Sequence, residues 1–226
     1  MSTFNTSALA TAGSGSAPTI AITPSAVGNL LVLIARINSS TATFTSVTDD
    51  RSGVWAAATT LRTSGNCTAQ LWYAVSTSTS LTTITVNSSV SASNTQAVAS
   101  YVTTLTTLAQ NASAAANNAN PDSGPITTAA TAILVCGVGV TPNADAFTAG
   151  SGWTERQPGA GGQRAYIADQ IDVGAGTYNG QASISTEDWS AHIAAFVAAT
   201  TQDTPELYGR PDGLRGSRQL HSLLAQ

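Results

Sequence analysis

LLVLIARINSSTATFTSVTDDRSGVW, residues 30–55, reads as an apolar strand, a polar loop, a Phe-Thr pair at Phe44 and a turn ahead of Trp55. The same order returns in the second half of the chain. There ILVCGVGVTPNADAFTAGSGW, residues 133–153, puts Phe147 and Trp153 in the matching places. The parallel continues from residues 69–102 to residues 164–197. Each of these segments holds an aromatic-bearing strand, a Ser/Thr/Gly turn, an alternating strand, a polar turn and a closing strand that ends in an aromatic residue and Val. Tyr73 precedes Tyr101 by 28 positions and Tyr166 precedes Phe196 by 30. Self-similarity over such a length marks a structural unit used twice.

The pattern within the unit is all-β. Short apolar runs with period-2 alternation, such as TIAIT, QLWYAV, TTITV and QASIS, are separated by clusters of Ser, Thr, Gly, Asn and Asp. No window before residue 205 has a 3.6-residue period. Five short strands per half can cover only one face and need a second layer. The expected fold is a jelly-roll-like antiparallel β-sandwich built from two similar halves that interleave or face each other. Residues 1–17 are expected to be an N-terminal strand or arm. Residues 18–200 form the sandwich, with halves at about 28–105 and 130–198, and residues 201–226 form a linker and a short helix. NASAAANNANPDSGP, residues 111–125, reads as the loop that crosses between halves, because of its Asn, Pro and Gly content.

Composition narrows the function. Only 9% of residues are charged, against about 25% in ordinary soluble domains. All the basic residues are Arg, and the net charge is −4. A nucleic-acid partner calls for a basic face, which this chain lacks. LLVLIARI is too short for a membrane helix, which needs about 20 residues, and it contains Arg36. The N-terminal stretch MSTFNTSALA has neither a positive segment nor an apolar one of the kind that directs export, so a soluble chain is expected. Cys67 and Cys136 both fall in strand runs. Two buried free thiols and one bridge between the halves are both open readings.

Chemistry-bearing motifs are sparse. His192 and His221 are the only imidazoles, and AGSGW at residues 149–153 lacks the helix that follows a nucleophile elbow. His192 is expected on the outward face of its strand, beside Ser190. Without Lys, a Walker-type phosphate loop is excluded. The acidic pairs Asp49–Asp50 and Glu187–Asp188 sit in TDDRSG and TEDWS, where Asp side chains favour bonding to their own turn. Their alternative role is as oxygen ligands for Ca²⁺, without EF-hand spacing. Trp189 and Tyr178 stand near acidic and Gly-rich turns and are the candidates for a glycan contact. Trp55 and Trp153 hold equivalent repeat positions, which favours a packing role.

GNLLVLIARI, VTDDRSGVW, LWYAVS, AILVCGVGV, FTAGSGWTER, YIADQ and HIAAFV together resemble a β-sandwich domain of tailed-phage virion proteins, over roughly residues 18–199. The ending GLRGSRQLHSLLAQ resembles the C-terminus of minor tail proteins from phages of mycobacteria and related actinobacteria. The resemblance implies a structural virion component that is assembled in the host cytoplasm, carries no cofactor, and has other phage structural proteins as partners.

The ending also has its own physical reading. Pro205, Gly209, Pro211, Gly213 and Gly216 make residues 204–216 an extended linker. Ser217 is a suitable N-cap, and Arg218–Gln226 reads as a helix with Leu220, Leu223 and Leu224 on one face. So short a helix is marginal alone. It is therefore expected to dock on a partner, with Arg215 and Arg218 meeting acidic groups. Low charge and Ser/Thr-rich strand faces suit repeated contacts between copies, as a trimer or a ring. The expectation is a non-enzymatic minor tail protein. The alternatives are a capsid decoration protein, a carbohydrate-binding module that holds a host surface glycan, and a glycan-cleaving enzyme.

Overall fold

The computed structural model of the chain describes residues 1–141, 147–157 and 164–199, and the side chains of all of these except 11–14. Two strands at its centre lack polar alternation. Leu30–Asn38 is buried over its first eight residues, and Ala132–Val140 over all nine. A strand covered on one face alternates between apolar and polar residues, whereas one covered on both faces reads as a continuous apolar run. These two strands are covered on both faces, and the architecture follows from that.

The first half contains β1 (Thr3–Gly15), β2 (Thr19–Ile22), β3 (Leu30–Asn38), β4 (Phe44–Asp49), β5 (Ala56–Ala57), β6 (Arg62–Ser64), β7 (Cys67–Val75), β8 (Thr82–Ser88) and β9 (Ala92–Val102). The second contains β10 (Leu105–Asn118), β11 (Asp122–Thr128), β12 (Ala132–Val140), β13 (Thr148–Ala149), β14 (Thr154–Glu155), β15 (Ala165–Val173), β16 (Gly176–Ser183) and β17 (Glu187–Ala198). The described residues include no helix. Each half makes a large sheet and a small one. The large sheets have the orders β1-β9-β3-β7-β5, with β6 also on β7, and β10-β17-β12-β15-β14. The small sheets are β2-β8-β4 and β11-β16-β13. Apart from β6, which has no counterpart among the described strands of the second half, the two halves share one order, and every pairing is antiparallel.

The four sheets stack with the large ones in the middle. Leu30, Val32 and Ile34 of β3 meet Ile133 and Val135 of β12 in a central core that also takes Leu71, Tyr101, Ile167 and Phe196. The alternate residues turn the other way. Leu31 and Leu33 pack on Ile20, Ile22, Ile84 and Val86 of the first small sheet. In the second half, Val138 and Val140 pack on Ala182 and Ile184, while Leu134 packs on Ile126. The central sheets approach closely because β12 carries glycine where β3 carries bulk. A Cβ on Gly137 would stand 2.7 Å from Leu71 Cδ1, and one on Gly139 would stand 2.9 Å from Arg36 Cγ. Arg36 is fully buried; its stem fills the space opposite Gly139 and its Nη2 donates to Asn38 Oδ1 at 3.1 Å.

Two expectations are corrected here. The segment 111–125 is not a crossing loop. It runs as β10 as far as Asn118 and enters β11 at Asp122, with a short turn fixed by the Asn120 amide donating to Asn118 Oδ1 at 2.8 Å. Ala and Asn are weak strand formers, but β10 is an outer strand whose twelve register partners on β17 decide its conformation. Each half also exceeds the five strands read from the sequence. The strands of the two halves begin at Thr3 and Leu105, and each half has a flanking core of its own. The chain is two stacked two-layer units joined through Thr103 and Thr104.

Candidate functional site

The polar side chains that could do chemistry are mostly engaged with their neighbours. Asp49 Oδ1 accepts the Arg51 and Gly53 amides, each at 2.9 Å, and its Oδ2 accepts Trp55 Nε1 at 2.8 Å. Asp50 Oδ1 accepts the Thr83 amide at 2.9 Å. Glu187 Oε2 accepts the Thr141 hydroxyl at 2.6 Å, and Asp188 Oδ1 accepts Ser64 at 2.7 Å and Asn117 at 3.1 Å. These four carboxylates tie loops to strands. Among the described residues, no group of three or more His, Cys, Asp and Glu is placed to hold a metal ion. Gly65 turns the β6–β7 hairpin at φ 47°, and a Cβ there would collide with the Asp188 carboxylate.

His192 is not on an outward face. It is fully buried between the large sheets, where it joins the two halves. The Leu71 amide donates to Thr59 Oγ1 at 3.2 Å, which leaves the Thr59 hydroxyl proton for His192 Nδ1 at 2.8 Å. His192 Nε2 then donates to Ser190 Oγ at 2.8 Å, and the Ser190 hydroxyl points at the Arg62 carbonyl at 3.4 Å. A serine beside a histidine suggests a nucleophile and its base. Here both side chains are sealed from solvent and a threonine stands where an orienting carboxylate would be, so the chain of bonds acts as a joint. Burial, with a smaller push from Arg62, drives the imidazole down to about 3. The unfolded chain, near the ordinary value of about 6.5, therefore binds a proton that the folded chain refuses. Stability is full above pH 6.5 and declines as pH falls toward 3, by up to about 1.4 kcal/mol per unit. Urea unfolding at pH 7 and pH 5 should differ by about 2 kcal/mol from this residue, and His192→Gln should flatten that part of the profile.

The cysteines are unpaired and buried. Burial pushes the Cys67 thiol up to about 11, against the pull of Arg36, and the Cys136 thiol up to about 12. A thiolate is the reactive form. Titration of the folded protein with a thiol reagent at pH 8 should count no thiols, and titration in denaturant should count both.

The aromatic candidates are structural in their placement. Trp189 is 4% exposed and packs in the second flanking core, with Nε1 donating to Asn118 Oδ1 at 3.1 Å. This corrects its assignment as a glycan contact, since its ring offers no free face. Tyr178 lies against a neighbouring cluster, and its hydroxyl donates to the Gly174 carbonyl at 3.0 Å. Trp55 and Trp153 pack on the flanking cores of their own halves, as the repeat implies. Arg215, Arg218, Leu220, Leu223 and Leu224 lie outside the described residues.

The feature that sequence reading missed is apolar. At one end of the first half, the β2–β3, β4–β5 and β7–β8 connections meet the end of β9. There Val27 is 65%, Val54 85% and Leu81 57% exposed, joined by Val75 and Val102 at the strand ends. Two adjoining hollows of about 540 and 510 Å³ share Val27 and Val75 as a common wall. The first is bounded by Ser2, Asn29, Thr103 and Thr104, the second by Ser52, Val54 and Tyr73. The described part of the second half exposes no large apolar side chain. The signal was present in the sequence. SAVGN and RSGVW each set a lone valine in a polar turn, where burial within the chain cannot explain it.

No protein-family model, curated protein or solved structure matches this chain.

Proposed function

We propose that the chain is a non-enzymatic structural protein of a tailed-phage virion, a minor tail protein that assembles through contacts with its own copies and through its C-terminal segment. The observation that carries this reading is the apolar end of the first half. A cluster of exposed valines and a leucine on one face, rimmed by Ser and Thr, suits a protein surface better than a polar small molecule. The chemistry-bearing side chains support the same reading, because they are spent on turns and on the joint between the halves.

We read each half as a jelly roll. The orders β1-β9-β3-β7 and β2-β8-β4, with their second-half equivalents, follow the pattern of two packed sheets in that architecture. Two such units on one chain present twice the lateral surface to neighbours, which suits a ring or a shell. A capsid decoration protein would use the same parts and differ only in where it binds.

Sedimentation of the purified full-length chain tests the assembly. A trimer or larger species at micromolar concentration is the expected result. Truncation after Thr204 should leave the folded sandwich but prevent its joining particles. A clean monomer, together with normal incorporation of the truncated chain, would overturn the reading.

A further inference from the structure

The described chain stops where the apolar end begins. Ala198, at the end of β17, pairs with Leu105 of β10, and Thr104 and Thr106 on either side of Leu105 line the first hollow. The last described strand, β17, therefore ends at the rim of the one exposed apolar surface among the described residues, with residues 200–226 following it in the sequence. Those residues include Leu220, Leu223 and Leu224, whose i, i+3, i+4 spacing would set them on one face of a helix, with Leu214 ahead of them in the sequence.

We infer that the C-terminal segment, residues 208–226, docks in the Val27–Val75 hollows of a second copy of the chain, so that each copy fills its neighbour's groove. This inference rests on the proposed self-assembly and names the contact that makes it. The length of chain argues for a neighbour's groove over its own. From Ala198 the nearest hollow is only a few residues away, but Leu220 stands beyond a Pro- and Gly-rich stretch. The ten residues from Ala199 to Tyr208 alone can reach about 33 Å. A segment meant for its own groove needs no such spacer, while one that crosses to the next copy does. Charge agrees with the placement. Arg215 and Arg218 would arrive beside Asp172, which is hydrogen-bonded to the Ser2 amide at 2.8 Å next to the first hollow, and Asp50, two residues from Ser52 of the second.

The test is a cross-link between differently tagged copies. Val27→Cys in one tagged chain and Leu223→Cys in another are co-expressed, purified together and oxidised. The native Cys67 and Cys136 are buried and stay out of the reaction. The expected result is a covalent pair that carries both tags, in most of the chains, reversed by reductant and lost when Val75→Asp is added to the Val27→Cys chain. A bridge that forms only when both cysteines are on one chain, and runs at the mass of a monomer, would overturn the exchange. So would the absence of any bridge. Sedimentation of the same samples separates the two levels. Oligomers without the bridge sink this contact and leave self-assembly standing. A monomer sinks both.

Discussion

Replacing Asp169 by alanine should cost about 3–5 kcal/mol of folding stability, the usual consequence of removing one partner from a buried ion pair. Asp169 is 1% exposed on β15, and its two carboxylate oxygens take Arg156 Nε at 2.7 Å and Nη2 at 2.9 Å. The guanidinium also lies over the Phe4 ring of the first half, 4.3 Å from its centroid, while Gln157 and the Arg156 carbonyl bond Ser7. Removing the carboxylate leaves the guanidinium, 21% exposed, beside the first half's β1 without its anionic partner. Urea unfolding should show the midpoint falling with the slope unchanged. Asp169→Asn, which keeps some of the hydrogen bonding, should lose less. A loss below about 1 kcal/mol for the alanine variant would mean that the pair behaves as a surface one, and that water reaches the seam between the halves.

Phe196→Ala should cost a similar amount, about 3–5 kcal/mol, by opening a cavity in a packed core. Phe196 is fully buried on β17, and its ring stands 5.2 Å from that of Tyr73 on the first half. The loss should appear as one transition shifted to lower urea. Because the central core draws on both large sheets, neither half has a complete interior alone. Two separate transitions, with only the second half weakened, would show instead that the halves are independent bodies resting against each other.

The repeat was the most legible feature of the sequence, and it was legible because its landmarks do physical work. Phe44 with Trp55, and Phe147 with Trp153, seal the flanking cores of their halves, and the equivalent spacing reflects equivalent strands. The outer strands were harder to see. β1 and β10 are rich in Ala, Ser, Thr and Asn because they lie at the margins of the large sheets, so their register comes from β9 and β17 and not from local propensity. The continuous apolar character of β3 and β12 announces burial on both faces. Read as an ordinary strand signal, it gave one sandwich of shared halves in place of two stacked units. His192 was misplaced for a related reason. Alternation placed it opposite Ile193, but the face opposite Ile193 is covered by the other half. The valines of the apolar end, in turn, stand out only when single residues in turns are weighed against their surroundings.

Labelling on the particle tests the central claim most directly. The proposed role predicts that particles of a tailed phage encoding this chain, purified and imaged after labelling with an antibody raised against residues 1–199, carry the label at a fixed position on the tail. Label over the capsid would move the chain to the decoration role. Particles that contain none of the chain, by image and by mass spectrometry of their proteins, would contradict the claim that it is part of the virion.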